Sequence, residues 1–80
     1  MMTCTIDILA TGQNIKRLML AKGMTVKDLK KALGFTTGQA IYKWFHGQSL
    51  PTLDNILIVS KMLGVTIDEI IIEEGYYYEN

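Results

Sequence analysis

The sequence predicts an all-α fold, a compact five-helix bundle that contains a helix-turn-helix, and three observations indicate it. Glycines and the single proline divide the 80 residues into short segments. Apolar residues recur within these segments at helical spacing, and strand-like alternation is nearly absent. The length suits one domain with one core, and a composition of 49% hydrophobic and 20% charged residues is that of a globular chain.

The first two predicted helices are bounded by glycines. GQNIKRLMLAKG runs from Gly12 to a stop at Gly23, with its apolar residues at helical spacing. TVKDLKKALG begins with Thr25 as its N-cap residue and has Asp28 three residues later, which is the spacing of a capping box. Gly34 closes this second helix.

The other three predicted helices begin with threonine. TGQAIYKWFHG starts at Thr37, TLDNILIVSKMLG at the N-cap residue Thr52, and TIDEIIIEEG pairs Thr66 with Glu69 in a second capping box. The residues predicted to form the apolar faces of the five helices are Ile15, Leu18, Met19, Val26, Leu29, Leu33, Ile41, Trp44, Phe45, Leu53, Ile56, Leu57, Ser60, Leu63, Ile67, Ile70 and Ile71.

The two ends of the chain are predicted to lie outside the bundle. Residues 1–10 form an N-terminal arm, in which the alternation TIDI at residues 5–8 fits either a frayed arm or a brief strand. Residues 11–73 form the helical domain. Residues 74–80, with three successive tyrosines, form a C-terminal tail.

The formal net charge of zero hides a separation of charge along the chain. Residues 11–48 carry seven basic residues against Asp28 alone, a net charge of +6. Residues 49–80 carry Lys61 against six acidic residues, a net charge of −5, and Asp7 supplies the remaining −1. Such a chain can turn a basic first half toward a polyanion while its acidic second half faces away.

The second and third predicted helices, joined by a tight turn, match a helix-turn-helix. The major groove of DNA admits one helix, so that helix must expose polar side chains near its start and keep its other face apolar for packing. The outer side of the third helix carries Gln39, Tyr42, Lys43 and His46. Ala40 is small enough to allow close approach to a base.

From Gly12 to about Ile72 the chain resembles the XRE family, the phage lambda repressor and Cro-like helix-turn-helix proteins. The residues that carry the resemblance are Leu29 and Gly34, Ile41, Trp44 and Gly47, Pro51, and the run LGVTIDEI. The resemblance implies a lambda repressor-like DNA-binding domain whose second and third helices read double-stranded DNA in the major groove.

The resemblance also assigns roles to individual residues. Base contacts fall on Gln39, Ala40, Tyr42 and Lys43; glutamine can pair with adenine and lysine with guanine, and Tyr42 could contact a base or a phosphate. Phosphate contacts fall on Lys16, Thr25, Lys27, Thr37, His46, Gln48 and Ser49. Two features depart from the family pattern: the turn GFTTGQAI is one residue longer than usual, and Val26 stands where a glutamine is frequent.

The tail IIIEEGYYY offers more apolar surface than a small monomer easily covers. Because tyrosine is favoured at interfaces, we expect a homodimer with recognition helices about 34 Å apart. The interface is assigned to Ile70, Ile72, Tyr76 and Tyr77. The alternative is that the tail folds back on its own core.

The function predicted is a sequence-specific DNA-binding transcriptional regulator, a repressor of phage or mobile-element type. The alternative is a protein-interaction module, such as an antitoxin that binds a partner protein through its tail. No catalytic residue, cofactor or metal site is predicted, because His46 is the only histidine and Cys4 the only cysteine. No membrane span is readable, and we expect a bacterial cytoplasmic, nucleoid-associated protein.

Overall fold

The structure is a computed structural model that describes the backbone of residues 2–78 and the side chains of residues 5–74. Five helices lie between an N-terminal and a C-terminal strand, in the order β1 (Met2–Ile6), α1 (Ile8–Ala21), α2 (Val26–Leu33), α3 (Gln39–Phe45), α4 (Leu53–Leu63), α5 (Ile67–Ile70) and β2 (Glu73–Tyr78). The predicted bundle of five helices is confirmed, with one small sheet added to it.

Side-chain caps begin most of these helices, as the sequence predicts. The Thr25 hydroxyl accepts a hydrogen bond from the backbone N–H of Asp28 at 3.2 Å, and the Asp28 carboxylate accepts one from the backbone N–H of Thr25 at 2.9 Å. Thr66 and Glu69 form the same reciprocal pair at the start of α5, and Thr52 caps α4. At the other end of α2, Gly34 adopts the left-handed conformation, with φ of 72°.

Helix α1 starts four residues earlier than the predicted boundary at Gly12. Asp7 is its N-cap residue, and the Asp7 carboxylate accepts a hydrogen bond from the backbone N–H of Ala10 at 2.9 Å. Gly12 therefore lies inside α1, where it is buried against α3. A Cβ atom at this position would lie 1.6 Å from the carbonyl oxygen of Trp44, so only glycine lets the two helices pack so closely.

One cluster of buried side chains fills the space between the helices. It contains Ile15, Met19, Leu29, Ile41, Trp44, Phe45, Ile56, Val59, Leu63 and Ile70. The predicted burial of Leu53 and Leu57 is wrong, because their side chains are 83% and 48% exposed. Helix α4 carries apolar residues on nearly every side, and the face it buries contains Val59 instead.

The two strands pair antiparallel, with Met2 opposite Tyr78 and Ile6 opposite Glu73. We call this pair the ribbon. Its base is fastened to α1, because the buried Thr11 hydroxyl accepts a hydrogen bond from the backbone N–H of Ile72 at 3.0 Å. The helices make few other contacts with the ribbon, and the molecule measures 47 × 23 × 20 Å. The sequence allowed either a frayed arm or a brief strand at residues 5–8. The structure has a strand, which covers residues 2–6.

Asn14 joins α1 to the end of α5. The buried Asn14 amide donates hydrogen bonds to the backbone carbonyls of Glu69 and Ile70, each at 2.9 Å. Its side-chain oxygen accepts hydrogen bonds from the Arg17 guanidinium at 3.2 and 2.8 Å. Every polar atom of this side chain is therefore satisfied inside the protein. The contact holds the end of α5 against α1.

Candidate nucleic-acid interface

The turn between α2 and α3 is held to the protein core by an aromatic contact. After Gly34 the chain runs through Phe35, whose ring meets that of Trp44 edge-on with centroids 6.0 Å apart. Such edge-to-face pairs are favourable beyond the area they bury. The turn that is one residue longer than usual is thus anchored at its start. Helix α3 begins at Gln39, with Gly38 as its N-cap residue, so the predicted start at Thr37 is two residues too early.

Helix α3 buries one face and exposes the other. Ile41, Trp44 and Phe45 lie in the core, which confirms their predicted burial. The exposed face carries Gln39, Tyr42, Lys43 and His46. These positions are three, four and seven residues apart, so their side chains lie on one side of the helix. This short helix therefore presents a polar surface with a lysine at its centre.

An open groove of about 460 Å³ lies along one flank of α3, between the turn and the start of α4. Five predicted contact residues line it, namely Thr37, Gln39, Ala40, Lys43 and Ser49. Thr36 and Asn55 also line the groove, and the sequence reasoning missed both. The sequence does hold a signal for Asn55. It lies in the first turn of α4, directly after the loop whose residues Gln48 and Ser49 are predicted to contact phosphates.

A second surface lies on the opposite flank of α3. Lys16 and His46 line a groove together with Gln13 and Arg17 of α1, two residues that were not predicted. The Lys16 ammonium lies 5.8 Å from the centroid of the Phe45 ring, a distance at which a cation and an aromatic face attract. Basic side chains from α1 therefore flank the exposed face of α3.

The ring of Tyr42 lies where α3 meets the start of α2. A Cβ atom added to Gly38 would lie 3.2 Å from both the Tyr42 ring and a Val26 methyl group. Tyr42, Val26 and the N-cap residue Thr25 line one apolar groove with Lys16. Val26, which stands where a glutamine is frequent in the family, therefore lies close to an aromatic ring in an apolar groove. A glutamine there would place a polar group in the same groove.

Among the residues that the structure describes, no acidic side chain lines any of the three grooves, and Asp28 is the one acidic residue between residues 11 and 48. Its carboxylate is engaged at the start of α2. Hydrogen bonds from the backbone N–H and the hydroxyl of Thr25 hold the pKa of Asp28 below its usual value of 3.8. An anion at a helix N-terminus is also stabilised by the helix dipole.

Other predicted site residues lie elsewhere. Lys27 and Gln48 are exposed but line none of the three grooves described above. Ile70 is fully buried in the protomer's own core, so its side chain is not available to a partner, and its assignment to a dimer interface is corrected. Ile72 is 37% exposed at the base of the ribbon. The side chains of Tyr76 and Tyr77 lie outside the described residues.

The described part of the chain holds no cluster of three or more histidine, cysteine or acidic side chains that could bind a metal ion. None of its helices is both long and apolar enough to cross a membrane.

Comparison with known proteins is consistent with this geometry. A helix-turn-helix family model matches residues 15–70. The HTH-type transcriptional activator BcrR of Enterococcus faecalis is 31% identical over 60 residues, which are 75% of this chain and 29% of that protein. The crystal structure of the restriction-modification controller protein C.AhdI from Aeromonas hydrophila matches with a TM-score of 0.71 and 26% identity, over 80% of this chain and 96% of that one.

Proposed function

Because the chain belongs to the helix-turn-helix family, of the XRE type that the sequence predicts, we propose that it is a sequence-specific DNA-binding transcriptional regulator. One observation carries the proposal. Helix α3 buries its apolar face in the core and presents Gln39 and Lys43 along an open groove. A helix of this kind fits the major groove, where base edges carry hydrogen-bond donors and acceptors in a distinct order.

Base reading is assigned to the exposed face of α3. Gln39 pairs with the N6 and N7 atoms of adenine, and Lys43 donates to O6 or N7 of guanine. Ala40 allows the helix to approach the bases closely. Tyr42 lies at the flank, where its phenol reaches either a base methyl group or the backbone.

Phosphate contacts position α3 in the groove without reading sequence. On one flank they come from Thr37 and Ser49, joined by Asn55. On the other they come from Lys16 and His46, where Arg17 of the same groove adds a second strong cation. The remaining predicted phosphate contacts are Thr25, Lys27 and Gln48.

The regulator is proposed to repress, as a homodimer of mobile-element type that occupies promoter DNA and excludes polymerase. BcrR is described as an activator and C.AhdI as a controller of restriction-modification, so relatives act in more than one way. A reporter gene behind the protein's own promoter decides the direction. Loss of the protein raises expression under this proposal, whereas a fall in expression would make it an activator.

The test of DNA binding is fluorescence anisotropy with the duplex upstream of the gene and a scrambled duplex, across a salt series. We expect preference for the upstream duplex and a steep loss of affinity with salt, because several phosphates are neutralised. Lys43→Ala should weaken binding to the upstream duplex by about 1–3 kcal/mol and relax specificity at one position. Lys16→Ala should weaken binding to both duplexes and reduce the salt slope by about one.

Lys61→Ala is the matched control, because Lys61 is an exposed lysine on α4 that lines none of the three grooves beside α3. It should bind as the wild type does. Absence of binding to either duplex at low salt would contradict the proposal and direct the search to protein partners.

A further inference from the structure

The ribbon is an incomplete sheet. It has two strands and touches the helices little beyond its base. A two-stranded sheet is marginally stable in water, and independent stability usually needs a third strand or a covering element. Within the described backbone, each strand has one neighbour, so each leaves one edge unpaired.

The two free edges differ in how well they are protected. Strand β2 carries Glu73 and Glu74, and Glu74 forms a bulge, because Thr5 pairs with Gly75 and Ile6 pairs with Glu73. Charges and bulges are the features with which natural proteins block pairing at an edge. Strand β1 has the sequence MTCTI, without a charge, a proline or an extra residue. The edge of β1 is therefore the one open to another strand.

We propose that the free edge of β1 pairs antiparallel with the same edge of a second copy of this chain, giving a four-stranded sheet in the order β2, β1, β1 and β2. Two identical strands related by a two-fold axis form a closed interface. With the axis at Cys4, the middle of the five-residue strand, Cys4 lies opposite its own copy, Met2 opposite Ile6, and Thr3 opposite Thr5. Apolar residues then meet apolar residues, and hydroxyl residues meet hydroxyl residues.

Charge favours a second copy as the occupant. Like charges directly opposite one another destabilise a strand pair, and two β1 strands bring none together, because β1 carries no charged residue. The side chains of Ile6, the last residue of β1, and Ile8, the first residue of α1, are 39% and 40% exposed. This inference deepens the proposed homodimer but does not depend on DNA binding, so it is tested without DNA.

The first experiment is sedimentation equilibrium of the full chain and two double variants. Thr3→Lys/Thr5→Lys places like charges opposite each other in both threonine pairs, and Thr3→Glu/Thr5→Lys places opposite charges there. Both variants put a lysine beside Glu74, which accepts a hydrogen bond from Thr5 at 3.1 Å, so they differ only in the sign at residue 3. We expect a wild-type dimer at micromolar concentration, at least tenfold weaker dimerisation in the first variant, and recovery in the second.

The second experiment uses Cys4 as a natural probe of the register. Residues directly opposite in antiparallel strands have Cα atoms about 4.5–5.5 Å apart, within the range of about 4.4–6.8 Å that a disulfide spans. Mild oxidation should therefore convert the wild type to a covalent dimer. A Cys4→Ser/Thr36→Cys variant, which moves the thiol to the exposed turn before α3, should stay uncrosslinked at the same protein concentration.

Either of two results would overturn the proposal. One is a wild-type protein that sediments as a monomer throughout the concentration range. The other is equal dimerisation of the two charge variants, which would place the interface elsewhere. Circular dichroism on each variant shows that the helices are intact. A dimer that binds no DNA would refute the proposed function and leave this inference standing.

Discussion

Replacing Gly12 by alanine tests whether α1 and α3 pack as closely as the structure shows. The added Cβ would lie 1.6 Å from the carbonyl oxygen of Trp44 and 3.3 Å from the backbone nitrogen of Phe45. Real Cβ atoms essentially never approach such an atom within 3.0 Å. Helix α1 must therefore move away from α3 by about 1.4 Å along this direction, because a backbone carbonyl cannot rotate aside as a side chain can.

Two opposing effects set the change in the free energy of unfolding. Alanine in place of a helical glycine stabilises by about 0.5–1 kcal/mol, since less backbone entropy is lost on folding. Separating the helices forfeits dispersion contacts around Trp44 and Phe45, and a gap of about 0.5–1 Å already loses a quarter to a half of each contact. Overpacking of a core costs about 1–3 kcal/mol, occasionally more. Because the clash is with backbone atoms, we place the overpacking cost at the upper end of this range, about 3 kcal/mol, which leaves a net destabilisation of about 2–2.5 kcal/mol.

Urea denaturation followed by circular dichroism measures this loss, and promoter anisotropy on the same samples reports the position of α3. Gln13→Ala is the matched control for the stability measurement, because Gln13 is the exposed neighbour of Gly12 in the same helix. It should change stability by less than about 0.5 kcal/mol. A Gly12→Ala protein as stable as the wild type, or more stable, would refute the packing described for α1 and α3.

Three further predictions concern single side chains. Thr11→Val should destabilise by about 1–3 kcal/mol, because valine leaves the part-buried backbone N–H of Ile72 without its partner. Urea denaturation measures this loss, and an unchanged free energy of unfolding would mean that water replaces the hydroxyl. Thr25 lowers the pKa of Asp28 below its usual value of 3.8. The Asp28 carboxylate therefore gives its full stabilisation above pH 3.8 and loses it as the pH falls through the lowered pKa of the folded state. The stability difference between the wild type and Asp28→Ala should therefore shrink below about pH 4, and a constant difference in urea titrations across pH would contradict this. Leu53→Ala should lower the free energy of unfolding by less than about 0.5 kcal/mol, because Leu53 is exposed. Ile56→Ala should lower it by about 2–5 kcal/mol, because Ile56 is buried. Equal losses in urea denaturation would mean that α4 buries a different face.

The parts of the fold that depend on local chemistry could be predicted from the sequence. Thr25, Thr52 and Thr66 cap the helices assigned to them, because an N-cap bond is made within three residues and needs no knowledge of the rest of the chain. The burial of Trp44 follows from helical spacing in the same way. Both signals are complete within a single segment.

The parts that depend on distant contacts could not be predicted. The sequence pattern marks Gly12 as a boundary because glycine usually interrupts helices, but a glycine is needed there because the carbonyl of Trp44, on another helix, leaves no room for a Cβ atom. The face buried by α4 was ambiguous, since Leu53 and Val59 are equally apolar. Strand β1 pairs with residues more than 65 positions away, and five alternating residues carry too weak a signal to identify their partner.

The candidate site shows the same division. The exposed face of α3 follows from periodicity, so Gln39 and Lys43 were found. Asn55 was missed because it reaches the groove from another helix, and only the folded chain brings it beside Lys43. Ile70 was assigned to an interface because an apolar tail suggests one, but the core of a small bundle also needs such residues.

The end of α5 has a consequence for related sequences. Each of the first four helices is followed within two residues by a glycine in the left-handed region, whereas α5 is followed by Ile71 in extended backbone, with φ of −78° and ψ of 126°. Asn14 of α1 binds the last two carbonyls of α5, those of Glu69 and Ile70, and the chain continues into β2 without a glycine turn. We expect relatives with the same strand pair to keep a carboxamide at this position of α1. A relative with an aliphatic residue there should instead carry a glycine after α5, which would redirect its C-terminal segment.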